Sequence, residues 1–144
     1  MNDDKIFISI NPDALKKIEE GLKTYEFRNY KPKYAIKYMY VYETAPTSEM
    51  KYIIKIGNII EYPNKIPEIG DGNIQFNNGA KSRYAYPIKS VYKLEKSISL
   101  KELRETFGFT PPQGFVYEKT YPELSQFMRN VDKYKVRGED LDDL

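Results

Sequence analysis

At 144 residues and 17.0 kDa the chain is long enough for one domain around its own core, and it contains neither cysteine nor histidine. Disulfides, thiol catalysis, zinc–thiolate sites and imidazole-based dyads or triads are therefore excluded, leaving carboxylates, lysine, tyrosine, hydroxyls and amides to carry any chemistry. The net charge of +2 hides an asymmetry: Glu139, Asp140, Asp142 and Asp143 crowd the end, so residues 1–138 carry 23 basic against 17 acidic side chains, a net of +6. Such a basic body suits a polyanionic partner, and it suits plain solubility equally well.

The N-terminus does not read as a signal peptide, because Asp3-Asp4-Lys5 precedes only a short apolar run, and no segment approaches the ~20 apolar residues of a membrane span. A soluble cytoplasmic protein with no membrane partner is expected. Lys5 to Ile10 is the first predicted strand, with Ile6, Ile8 and Ile10 on one face and Phe7 on the other.

Asn11-Pro12-Asp13 then starts a helix: Asn caps the free amides, Pro fits the first helical position and Asp faces the positive end of the dipole. Ala14, Leu15 and Ile18 give it an apolar face as far as Glu20, and Gly21 stops it. From Thr24 the spacing changes to alternation. Thr24, Glu26 and Arg28 share one face of a strand, Tyr25 and Phe27 the other, and Lys23 stands at the entrance. This helix-to-strand corner holds the densest polar chemistry in the sequence.

Asn29 to Lys33 is a turn around Pro32. Lys37 to Glu43 is a strand with Tyr38, Tyr40 and Tyr42 on one face. Strand packing explains such a stripe, and a platform for stacking nucleobases explains it too. Packing is favoured for Tyr38 and Tyr40. Tyr42 is the more open case, beside Glu43 and Thr44 at the strand end, where loops carry function. Met50 to Glu61 is a long apolar strand bent at Gly57-Asn58. Pro63 to Gly79 is irregular, as a mobile flap or as an ordered loop. Lys81 and Arg83 lead into a strand that begins at Tyr84 and continues past Pro87 to Leu94; the two cations read as a solvated edge or as phosphate contacts. Ser99 and Glu102 form a capping box for a helix with Leu100, Leu103 and Phe107 inside, ended by Gly108. Pro111 to Phe115 is a rigid connector. Pro122 to about Lys133 is the last helix, with Leu124, Phe127, Met128 and Val131 facing in. The expected division is one domain over 1–136 and an acidic, frayed tail over 137–144. Five or six strands with peripheral helices argue for an α+β protein on a curved sheet.

The corner Gly21-x-Lys23-x-x-Glu26-x-Arg28, lying between helix and strand, and the later Tyr40 to Pro46 segment with its Tyr-Glu-Thr-Ala-Pro strand end, resemble the ASCH domain, a branch of the PUA-like superfamily. Pro111-Pro112-Gln113-Gly114-Phe115 also resembles segments of some members. The resemblance spans nearly everything before the acidic tail and implies a small curved mixed β-barrel with about three peripheral helices. It also implies RNA or nucleotide binding in a basic cleft between the first helix and the barrel, with single-stranded RNA or a nucleotide as partner.

On that reading Lys23 meets phosphate and Arg28 makes a forked contact with phosphate or a base edge. Thr24, Glu26, Tyr42, Glu43, Thr44, Arg83 and Tyr84 complete the expected ligand-binding set. The alternative is that Glu26 and Arg28, two apart on one strand face, pair with charges on the neighbouring strand. Some ASCH-like proteins hydrolyse the amide of acetylated cytidine; they keep the lysine but carry a threonine where this chain has Glu26. Others have been proposed as ribonucleases. A hydrolase built on this corner would use Lys23 or Glu26 as its catalytic groups, without metal or cofactor, and a carboxylate at 26 favours the charged ammonium over a neutral base. A protein-interaction or transcription-cofactor module, acting through the tail or the 63–79 loop, is the third class. No acidic cluster has metal-ligand spacing.

Overall fold

The computed structural model describes residues 4–141 and Leu144. Eight strands form one curled, mixed sheet: β1 Lys5–Ile10, β2 Tyr25–Arg28, β3 Tyr38–Glu43, β4 Glu49–Ile56, β5 Ile60–Glu61, β6 Tyr84–Ser99, β7 Phe115–Tyr117 and β8 Lys133–Gly138. The order is β2-β6-β4-β3-β1-β7, with β5 and β8 also paired to β6. β1 and β3 run parallel, with Ile10 opposite Glu43, and the other pairs are antiparallel. The helices are α1 Pro12–Glu19, the short α2 Asn73–Asn77, α3 Leu100–Phe107 and α4 Pro122–Asn130. No helix among the described residues is long and apolar enough to cross a membrane.

Both faces of the sheet centre are covered, which is why β1 and β3 read as nearly unbroken apolar runs. Ile6, Ile8 and Ile10 pack with Met39, Val41, Ile54 and Val91 beneath Leu15 and Ile18 of α1. Phe7 goes to the opposite face, where Met50, Ile53, Leu103, Phe109, Leu124 and Met128 form a second core under α3 and α4. Tyr38, Tyr40 and Tyr42 belong to this second core, 0%, 0% and 4% exposed. No base can stack on the stripe, so the platform reading is overturned for all three tyrosines.

Strand β6 holds the architecture together. Its first four residues pair with β2 and the stretch from Ile88 to Ser99 pairs with β4, so Pro87 sits where the strand changes partners. The missing N–H of proline is tolerated there, because Tyr25 opposite it is the first residue of β2. At the far end Ser99 Oγ accepts from the Glu102 N–H at 3.1 Å and β6 passes directly into α3.

Besides the short α2 inside the stretch read as irregular, three elements differ from the sequence reading. The long strand expected over 50–61 breaks at Gly57, and its end becomes β5, paired to another part of β6. Phe115, read as the end of a connector, begins the edge strand Phe115–Tyr117 on β1. The last helix stops at Asn130, and Lys133–Gly138 is a strand in which Arg137 lies opposite Val91 and Gly138 opposite Ser90. The chain therefore stays in the sheet two residues past the expected start of the tail. Beyond it the Leu141 N–H donates to Tyr92 Oη at 3.1 Å and the side chain packs on the second core. Asp142 and Asp143 lie outside the described residues.

Candidate functional site: the cleft beneath the first helix

Helix α1 begins as its sequence dictates: Asn11 Oδ1 accepts from the Ala14 N–H at 2.8 Å with Pro12 following. Gly21, at φ +82°, ends it. A Cβ at this position would meet the Arg137 guanidinium, which β8 lays against the corner. The Leu22 and Lys23 N–H groups then both donate to Lys17 O, at 2.9 and 3.1 Å, so the chain doubles back under the helix and carries Lys23 inward. β2 follows, with Glu26 opposite Tyr86 and Arg28 opposite Tyr84.

Lys23, Glu26 and Arg28 form one buried relay. Glu26, 6% exposed, lies 3.4 Å through Oε1 from Lys23 Nζ, while its Oε2 accepts from Arg28 Nε at 2.9 Å and Nη2 at 2.5 Å. Arg28 Nη2 also donates to Ser9 O at 2.9 Å, and Nη1 donates to Tyr30 Oη at 2.6 Å. The Tyr30 carbonyl in turn accepts from Tyr86 Oη at 2.6 Å. Most of the guanidinium is thus spent inside the protein. The fork of Arg28 is taken up by Glu26 within β2 itself, rather than by a charge on the neighbouring strand.

Burial lowers the pKa of Lys23, and the opposing attraction of Glu26 does not cancel the loss of hydration. Nζ also lies 4.7 Å from the centre of the Phe27 ring. Glu26 favours the charged ammonium, as expected, and burial opposes it. For Arg28, burial works against charge but Glu26 and Tyr30 outweigh it, and its pKa is raised.

The relay opens on a polar pocket of about 390 Å³ between the start of α1 and the 63–79 loop. Asn11, Asp13, Ala14 and Lys17 line it from the helix; Lys23, Glu26 and Phe27 form the corner; Asp71 and Lys81 close the far side. The 63–79 segment is an ordered wall. Phe76, 0% exposed, stacks on Phe27 with ring centres 5.6 Å apart. Asn73 Nδ2 donates to Pro67 O, Ile69 O and Thr24 Oγ1, and the Asp71 N–H donates to Leu22 O. Lys17 and Asp71 face each other across the mouth at 3.7 Å. Three ammonium groups and three carboxylates line the space, so the cleft is mixed in charge where a uniformly basic one was expected. Among the described residues no group of acidic side chains gathers closely enough to hold a metal ion.

The remaining predicted residues separate. Thr24 joins the wall through Asn73. Tyr42 is in the second core beside Phe109. Glu43, 6% exposed, is held by Thr47 Oγ1 at 2.6 Å and Lys51 at 3.5 Å and closes the β3–β4 turn. The Thr44 N–H donates to Ile10 O, one residue from the cleft-lining Asn11, so this pair flanks the pocket without lining it. Arg83 is exposed and paired with Glu61 at 2.8 Å, and Tyr84 lies opposite Arg28 in the sheet. Lys17 and Asp71 were missed: one sits on the polar face of a helix and the other in an irregular loop, and only the fold brings them together. Lys81 was noted for its charge and not placed here.

A curled mixed sheet with its first helix over a polar cleft defines a small α+β domain. Its fold is that of ASCH proteins. The structure of ASCH from Zymomonas mobilis superposes with a TM-score of 0.68 at 20% identity, covering 91% of this chain and 98% of that one. A tyrosine-to-phenylalanine variant of the Zymomonas mobilis protein gives 0.66 over 90% and 99%, and a serine-to-alanine variant 0.62 over 87% and 97%, both at 20% identity. At that identity the likeness is one of fold. No protein-family model and no curated protein matches the sequence.

Proposed function

We propose that the chain is an RNA- or nucleotide-binding domain of ASCH type, acting in the cytoplasm, that takes one nucleotide into the cleft beneath α1. The observation that carries this is the charge-mixed pocket of about 390 Å³ opening on the buried Lys23–Glu26–Arg28 relay. A nucleotide presents both kinds of group such a pocket answers: phosphate for Lys17 and Lys81, and base N–H donors for Asp13 or Asp71. Titration of nucleoside monophosphates and of a short single-stranded RNA is the test. Lys81→Ala weakens both about tenfold, roughly 1.4 kcal/mol, through one lost charge-assisted contact. Absence of binding by the wild type at low salt overturns the proposal.

One observation favours a hydrolase as the second reading. Burial lowers the pKa of Lys23, the direction a lysine needs to act as a base or nucleophile. Incubation with single-stranded RNA and with acetylated cytidine decides between the two. Product formed by the wild type and lost in Lys23→Met at unchanged affinity establishes catalysis; no product from either substrate leaves a binding module.

A further inference from the structure

A row of aromatic rings begins beside Arg28, the one relay residue that does not line the cleft. It starts at Tyr30, whose hydroxyl accepts from Arg28. Tyr30 lies 5.5 Å from Phe115 between ring centres, Phe115 lies 5.3 Å from Tyr117, and Tyr117 lies 5.3 Å from Tyr34. Phe115 and Tyr117 come from the edge strand β7; Tyr30 and Tyr34 come from the turn after β2, tied to that edge by the Lys33 N–H donating to Tyr117 Oη at 2.8 Å. The first three rings are half-buried, and Tyr34 at the far end is 41% exposed.

Lysines line the same row. Lys33 and Lys119 sit 5.9 and 6.0 Å from the Tyr34 ring and Lys119 also 5.9 Å from Tyr117, while Lys31, 5.7 Å from the Tyr84 ring outside the row, shares a pocket with Tyr34. All three are exposed, and none makes an ion pair among the described residues. The sequence explains why: no acidic residue occurs between Glu26 and Glu43, and Glu118, beside Lys119, is turned inward onto Ser125 and Arg129. Unneutralised ammonium groups beside aromatic faces match a strand that alternates phosphate and base. The row ends at a second pocket of about 200 Å³, lined by Lys31, Lys33, Tyr34, Ile36 and Ile59 among others, which suits one planar base better than a whole drug-sized ligand, whose sites run to about 300–1,000 Å³.

We infer that single-stranded nucleic acid runs from the α1 cleft along Tyr30, Phe115, Tyr117 and Tyr34, with its phosphates on Lys31, Lys33 and Lys119 and a terminal base in the pocket beside Tyr34. The inference rests on the nucleotide reading of the cleft and gives it a direction.

The test uses the full chain, a fluorescein-labelled single-stranded RNA decamer of mixed sequence, and a nucleoside monophosphate. The expected result is that replacing Lys31, Lys33 and Lys119 together by Ala weakens decamer binding at least tenfold. The salt slope flattens by about 2, from ~0.7 per lost phosphate contact on a single strand, and monophosphate binding is unchanged. Tyr34→Ala, at an exposed ring, weakens the decamer at least about fivefold with the fold intact by circular dichroism. Arginine at the three lysine positions restores both affinity and slope. Decamer binding by the triple Ala variant with wild-type affinity and slope, while Lys81→Ala still weakens the monophosphate, overturns the track and leaves the cleft reading standing. Decamer binding that falls in the triple variant but ignores Lys81→Ala supports the track and removes the cleft reading. A wild type that binds neither probe overturns both.

Discussion

Lys23 is held between two opposing forces, and its response to pH separates them. Its folded pKa lies below the ordinary 10.5, because desolvation exceeds the pull of Glu26. In the window below 10.5 the unfolded chain therefore binds the proton more tightly than the folded one, and the part of stability that depends on Lys23 rises with pH. Lys23→Met abolishes that dependence. Thermal melts of both proteins between about pH 8 and 10 should show the wild type gaining on the variant as pH rises; a constant difference would mean that the pull of Glu26 fully offsets the desolvation. Tyr52 and Tyr86, whose pKa values burial raises, act in the opposite sense and cancel in the comparison. Glu26 carries the complementary prediction. Glu26→Gln leaves Lys23 and Arg28 facing each other without the carboxylate and should cost about 3 kcal/mol in urea unfolding. The relay was legible in the sequence as three polar residues in a strand-facing pattern. That Arg28 pairs with Glu26 of its own strand and with Ser9 and Tyr30 was not, since the last two are set by the crossing of β1 and the turn after β2.

At the scale of elements, legibility followed local chemistry. The Asn-Pro start of α1, the Gly21 stop and the Ser99 cap are short-range signals, and each appears where its residues place it. β7 and β8 have no such signal. Phe115-Val116-Tyr117 is three residues long, and Lys133-Tyr-Lys-Val-Arg carries too little apolar surface to announce a strand; both are strands only because β1 and β6 offer free edges. The 63–79 loop is the clearest case. Its order depends on asparagine amides that imitate a backbone: Asn77 accepts from the Ile66 N–H at 2.9 Å and donates to Ile66 O at 2.8 Å. Asn77→Ala strands both buried groups and should destabilise the protein by about 2 kcal/mol, with faster amide exchange at Ile66. Because the same loop carries Asp71 to the cleft, nucleotide affinity should fall with it. Exchange at Ile66 equal to wild type would show that Phe76 alone holds the loop.

For the molecule as a whole, the decisive question is what the C-terminal residues hold. Composition reads 137–144 as a solvated acidic end, but Arg137 and Gly138 complete the β6–β8 ladder, and the Arg137 guanidinium lies against Gly21 where the cleft begins. Gly138, at φ +90°, approaches Lys89 O and Ser90 so closely that no side chain fits there. Glu139 pairs with Lys55 at 3.0 Å, and Leu141 and Leu144 pack on the second core. Ending the chain after Val136 should therefore lower the melting temperature by more than about 4 °C, or roughly 1 kcal/mol for a domain of this size. Nucleotide affinity should drop as well, because the corner that positions Lys23 loses its support from β8. Two point variants divide the effect. Leu141→Ala should reproduce part of the stability loss with binding unchanged, since it touches only the core beneath α3 and α4. Arg137→Ala should weaken binding with little change in melting temperature, since it touches only the corner. A truncated protein that melts within 2 °C of the full chain would mean that β8 ends in effect at Val136. A truncated protein that is destabilised but binds as tightly as the wild type would mean that α1 and the 63–79 wall hold the Lys23 corner without help from the C-terminus.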